Sequence, residues 1–173
     1  MELKKYAAAA VIAAAITGTA AGMAVPAYAA VSETISDKQA AIDSAAKVVP
    51  SNAKLVGAKT DEADFDLDYL DPATLEHYEV EVDRATKKVK EVEIKSSNYP
   101  GSVTVNKTAD DVKAAISSRY PDARNITVTT VNDSKEGTPF VIYKAAFETD
   151  AFTGEALLNP ATCYIGYQKL EYK

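Results

Sequence analysis

A single cysteine and a single histidine leave this chain of 173 residues with little of the side-chain chemistry that most enzymes use. Cys163 has no partner for a bridge within the chain, so stability must come from packing, as in many secreted bacterial proteins. In line with Ile165 and Tyr167, it reads as a small buried apolar residue rather than a reactive thiol. His77 is the one side chain that could serve a Ser-His-Asp arrangement, and strand parity groups it with Glu79 and Glu81 on a wet face. No G-x-S-x-G, H-E-x-x-H or Gly-rich phosphate loop accompanies it. The sequence therefore predicts no catalytic residues, no cofactor and a non-enzymatic role. Positive charge is scarce as well: 19 Lys and Arg face 25 Asp and Glu, for a formal net charge of −6. With no basic stripe to meet phosphates, nucleic acid is excluded as a partner.

Long runs of Leu, Ile or Phe are also missing. Residues 6–21 are uncharged but mostly alanine; Lys4-Lys5 precede them and Val25-Pro26-Ala27-Tyr28-Ala29 follow. This predicts a secretory signal peptide over 1–29, cut between Ala29 and Ala30 after the small residues at an A-x-A site. A retained anchor is the competing reading, weakened because alanine drives insertion far less than Leu, Ile or Phe. Loss of Lys4, Lys5 and Glu2 with the leader takes the charge from −6 to −7. The expected location is secreted or in the cell envelope, with no membrane span after cleavage.

What is present is repetition. Ser36-x-x-Gln39 reads as a capping box opening a helix with the apolar stripe Ile42, Ala45, Ala46 and Val49, closed by Pro50. Thr108-x-x-Asp111 repeats it with Val112, Ala115, Ile116 and Tyr120, closed by Pro121. Phe65, Leu67 and Tyr69 alternate with Asp64, Asp66 and Asp68, and Tyr78, Val80 and Val82 with Glu79, Glu81 and Asp83. That is the pattern of antiparallel strands dry on one face only. Val89 is out of parity with Val92 and Ile94, which predicts a bulge or a late strand start. Asp71-Pro72-Ala73-Thr74 and Asp83 to Lys88 read as turns. The expectation is an α+β fold of two tandem units, each a helix packed on one face of an antiparallel β-sheet. Their boundaries are 30–97 and 107–173, joined by a linker at 98–106 that allows some hinge motion.

The acidic run from Asp61 to Asp71 is the one conspicuous cluster. An EF-hand loop starting at Asp64 would need Gly and Glu where Tyr69 and Leu75 stand. Strict alternation favours a solvated strand face, and Asp64, Asp66 and Asp68 remain only a weak metal candidate.

Four stretches resemble the PepSY family, known from propeptides of secreted metallopeptidases. They are Ile35-Ser36-x-x-Gln39-Ala40 with His77-Tyr78-Glu79-Val80-Glu81-Val82-Asp83, Thr86 with Val89, and Asp150-Ala151-Phe152-Thr153-Gly154-Glu155. The last is similar to the family's D-A-x-T-G-E turn, in which Asp150 and Thr153 would bond local backbone and Gly154 would take a positive φ. Lys87 stands where the first copy would have glycine. The resemblance implies regulation or inhibition of an extracellular peptidase in trans, by docking through a strand edge or the open sheet face. An envelope protein that is structural or binds cations or ligands is the alternative.

Overall fold

The computed structural model describes residues 25–135 and 137–173. Helix α1 (Val25–Ala45) is followed by β1 (Lys54–Thr60), β2 (Asp64–Leu70), β3 (His77–Asp83) and β4 (Val89–Lys95). Helix α2 (Ala109–Arg119) is followed by β5 (Arg124–Lys135), β6 (Thr138–Glu148), β7 (Phe152–Leu158) and β8 (Ile165–Tyr172). All eight strands form one antiparallel sheet in the order β1-β2-β3-β4-β8-β7-β6-β5.

The expectation of two separate helix-on-sheet units is thus overturned, although the order of a helix and four strands does occur twice. β4 pairs β8 from Glu91↔Glu171 to Lys95↔Tyr167, and this seam makes the sheet continuous. The physical reason is burial. Four strands and one short helix cover too little apolar surface alone, whereas joining β4 to β8 removes two edges and gives one core. That core is a single cluster holding Ala41 and Ala45 of α1, Val112 and Ile116 of α2, and inward residues of β2, β3, β4, β6, β7 and β8. Both helices therefore lie on the same side of the sheet.

The second helix forms as the sequence dictates. Thr108 caps it, accepting from the Asp111 N–H, while Asp111 accepts from the Thr108 N–H; Val112 and Ile116 are fully buried. The first differs, because Ser36 lies inside α1 rather than at its start. Most of the proposed leader, residues 1–24, lies outside the described residues, whereas its expected cleavage site between Ala29 and Ala30 falls within α1. Among the described residues no helix is long and apolar enough to cross a membrane.

The alternation in β2 and β3 holds, with Phe65, Leu67, Tyr69, Tyr78, Val80 and Val82 all buried. The register shift after Glu81 leaves Lys90 as the extra residue, so the bulge before Val92 is present. β1 escaped the sequence reading because, as an edge strand, it shows little alternation in burial. β7 starts at Phe152, where a turn running to Glu155 was expected.

Three hairpin turns share one geometry that the sequence spells nearly identically: Asp71-Pro72-Ala73-Thr74-Leu75, Asp83-Arg84-Ala85-Thr86-Lys87 and Asn159-Pro160-Ala161-Thr162-Cys163. In each, the fifth residue donates its N–H to the carbonyl of the first (2.9, 2.8 and 2.7 Å) and has φ near +60° (61°, 59° and 61°). The first residue's side chain also accepts a backbone N–H within the turn. Cys163 therefore sits in a left-handed turn position, not in line with β8, and burial pushes its thiol pKa up.

Residues 98–106 do not behave as a slack linker. Ser102 exchanges two backbone hydrogen bonds with Val141, and Asn159 Nδ2 donates to the carbonyls of Tyr99 and Gly101. A Cβ at Gly166 would lie 2.6 Å from the Asn98 carbonyl oxygen, so the strap rests on bare β8 backbone.

Candidate functional site

Opposite the helices, the sheet has a face that no described element covers. Cross-strand register sets carboxylates side by side on it. One rung runs Asp66, Glu81, Glu91 and the next Asp68, Glu79, Glu93, across β2, β3 and β4. Together these six line a trough of about 460 Å³ with Lys59 and His77. Like charges directly opposite one another each cost about 0.2–1 kcal/mol, so an arrangement kept only for stability would have alternated sign.

Lysines relieve part of the repulsion. Lys95 reaches Glu79 at 2.7 Å and Glu93 at 3.2 Å, Lys90 reaches Glu81 at 2.6 Å, and Lys169 reaches Glu91 at 2.9 Å. Asp66 and Asp68 have no ion-pair partner within 4 Å among the described residues. Burial, with Asp61, Asp64 and Asp68 nearby, raises the Asp66 pKa above its usual 3.8. Burial also pushes Glu93 upward, but the Tyr167 hydroxyl at 2.8 Å and Lys95 outweigh it, and its pKa falls.

The three aspartates read as a weak metal candidate do not converge. Asp64 turns to Lys90 at 2.9 Å, and alternate residues on one strand stand about 6–7 Å apart, too far to share one ion without other ligands. Among the described residues no group of three His, Cys, Asp or Glu could hold a metal. One Asp64 oxygen is buried with no hydrogen-bond partner among the described residues. His77 faces the trough, with Nδ1 3.7 Å from Glu79 Oε1.

The turn residues taken from the family motif have different jobs. Asp150 lies at the β6–β7 hairpin and accepts from Arg124 Nη1 at 2.7 Å. Thr149, fully buried, is the local cap, accepting from the N–H groups of Ala151 and Phe152. Thr153 and Gly154 already belong to β7. Gly154 has no positive φ; its bare Cα lies under the Phe147 ring, where a Cβ would come within 2.4 Å of Cζ.

Glu91 and Glu93 were missing from the sequence reading of this face. Their signal was the alternation Glu91-Val92-Glu93-Ile94, hidden by the bulge at Lys90 that breaks parity with the preceding turn.

The titrations set the pH dependence of stability. Asp83 is held below the usual carboxylate range by the Thr86 hydroxyl and N–H, Asp71 by the Ala73 N–H, and Asp61 by the N–H groups of Asp64 and Ala63. Depressed folded pKa values give stability that is present above the unfolded value and lost as pH falls through the folded one. Asp66 works in the opposite direction: its raised pKa makes the ionised form costly, so protonation on the way down to 3.8 stabilises the fold. At low ionic strength, thermal melts should therefore show a midpoint that rises on mild acidification from neutrality and falls steeply below the usual carboxylate range. A monotonic fall from neutral pH would contradict this.

The chain matches no protein-family model, and no curated protein or solved structure is significantly similar to it.

Proposed function

We propose that this protein is a non-enzymatic binding module acting outside the cytoplasm, and that its open acidic face docks a cationic surface of a protein partner. One observation carries the reading: six carboxylates in two cross-strand rungs on an uncovered sheet face. Such a face repels phosphate backbones and attracts Lys- and Arg-rich protein surfaces, speeding encounter and favouring cationic partners. A rigid sheet carries it, so little ordering entropy is lost on binding. The resemblance to PepSY units narrows the partner to a secreted peptidase, which the protein would restrain in trans.

Calorimetric titration of residues 30–173 with a lysine-rich peptide should give saturable binding at low salt that weakens as salt screens the face. The variant D66N/D68N/E79Q/E81Q should bind at least about tenfold more weakly, a loss of about 1.4 kcal/mol. Equal binding by the variant would overturn the assignment of the face. Incubation with peptidases secreted by the same organism tests the narrower claim. A complex on a sizing column with reduced activity supports it, and unchanged activity with no complex counts against it.

A further inference from the structure

A groove lies beside the C-terminal end of α2, on the opposite side of the sheet from the acidic face. Two adjoining hollows, of about 320 and 290 Å³, share Arg119 as a common wall. One is mainly apolar, with Val48, Pro50, Ile94, Phe152 and Leu170 among its lining residues. The other mixes Glu76, Ser118 and Gln168 with the apolar Ala115 and Ile165.

Gln168 is the anomaly. It sits at the helix–sheet interface, paired across the sheet with Ile94 and Ala156, and is only 2 % exposed. An apolar residue would serve that layer better, since a buried amide requires partners. Tyr120 Oη donates to Gln168 Oε1 at 2.6 Å, but Gln168 Nε2 has no acceptor among the described residues. Rotating the amide by half a turn would exchange the two atoms and leave Oε1 open instead. In both settings one polar atom of a buried amide remains for the groove. Beside it, Glu76 Oε2 accepts from Tyr78 Oη at 2.6 Å and from Arg119 Nη2 at 3.3 Å. The pair neutralises itself, and neither charge is left over for an ionic ligand.

We propose that this groove is a binding site for a small neutral amide with an apolar side chain, of the kind one hydrophobic peptide residue presents. The amide would bond Gln168 with its carbonyl or its N–H, and the side chain would fill the hollow lined by Val48, Pro50 and Phe152. A carboxylate is disfavoured because Glu76 already occupies Arg119. The volume suits one residue, not a folded partner, and lies at the low end for small-molecule sites.

The test is titration of residues 30–173 with N-acetyl-leucinamide, followed through the Gln168 side-chain NH₂ and the Arg119 Nε signals by NMR. Saturable shifts of both are expected, with weaker binding of N-acetyl-leucine at neutral pH. Gln168→Met keeps the volume and removes the amide, and should weaken binding about tenfold at most, the worth of one hydrogen bond. Tyr120→Phe removes the internal partner of Gln168 and separates a structural role from a binding one: it should retain ligand binding whatever it does to the melting temperature. Absence of saturable shifts at millimolar ligand, undiminished binding by Gln168→Met, or loss of binding in a folded Tyr120→Phe protein would each overturn the proposal.

Discussion

Ile116→Ala should destabilise the whole sheet by about 2–5 kcal/mol, in one cooperative transition. Ile116 is fully buried on α2, with no exposed surface to absorb the change. Truncation removes buried methylene groups and leaves a cavity that a close-packed core fills only in part. α2 contacts β5 and β6 directly, while α1 lies over β2 and β3. If the halves were independent, the loss would stay in the second half and two unfolding transitions would separate. Because all inward residues belong to one cluster across the β4·β8 seam, calorimetry and circular dichroism should instead report a single coincident transition, shifted to lower temperature.

The second large effect is at Gly154. Gly154→Val should cost about 3 kcal/mol, at the upper end for overpacking, because the nearest atoms belong to a ring that cannot swing away. A Cβ there would lie 2.4 to 2.8 Å from three atoms of Phe147. Phe147 is itself stacked on Tyr120 at 5.0 Å between ring centres and edged by Phe152 at 6.4 Å. Denaturant unfolding of G154A, F147L and the double variant forms a cycle that isolates this contact. Because the leucine leaves room for the methyl group, the double variant should be more stable than the sum of the single changes by at least about 0.5 kcal/mol. Additive losses would return Gly154 to a turn role.

Much of this could be read from the sequence wherever a local rule was strong. The Thr108–Asp111 capping box, the apolar residues of β2 and β3 and the bulge before Val92 follow from periodicity and hydrogen-bonding chemistry within a few residues. The sheet's continuity does not, because β4 and β8 are about eighty residues apart and their alternation is that of any half-covered strand. Gly154 misled for the same reason: its need for bare backbone comes from Phe147 on the neighbouring strand. Four of the six carboxylates of the acidic face, Asp66, Asp68, Glu79 and Glu81, were visible. Glu91 and Glu93 joined it only through register, and Gln168 and Arg119 had no local signature at all. The three D/N-x-A-T turns were within reach, since the tetrapeptides Asp71–Thr74, Asp83–Thr86 and Asn159–Thr162 align by eye. Their shared left-handed fifth residue was masked by having Leu75, Lys87 and Cys163 where glycine would be the usual signal.

The claim on which the functional account turns is that partners meet the uncovered carboxylate face. Backbone amide shifts of residues 30–173, recorded while a lysine-rich peptide is titrated at low salt, test it most directly. The account predicts that the largest changes cluster at Asp66, Asp68, Glu79, Glu81, Glu91 and Glu93 and collapse when salt is added. Changes confined to the helix side or to the β1 and β5 edges, or unaffected by salt, would contradict it.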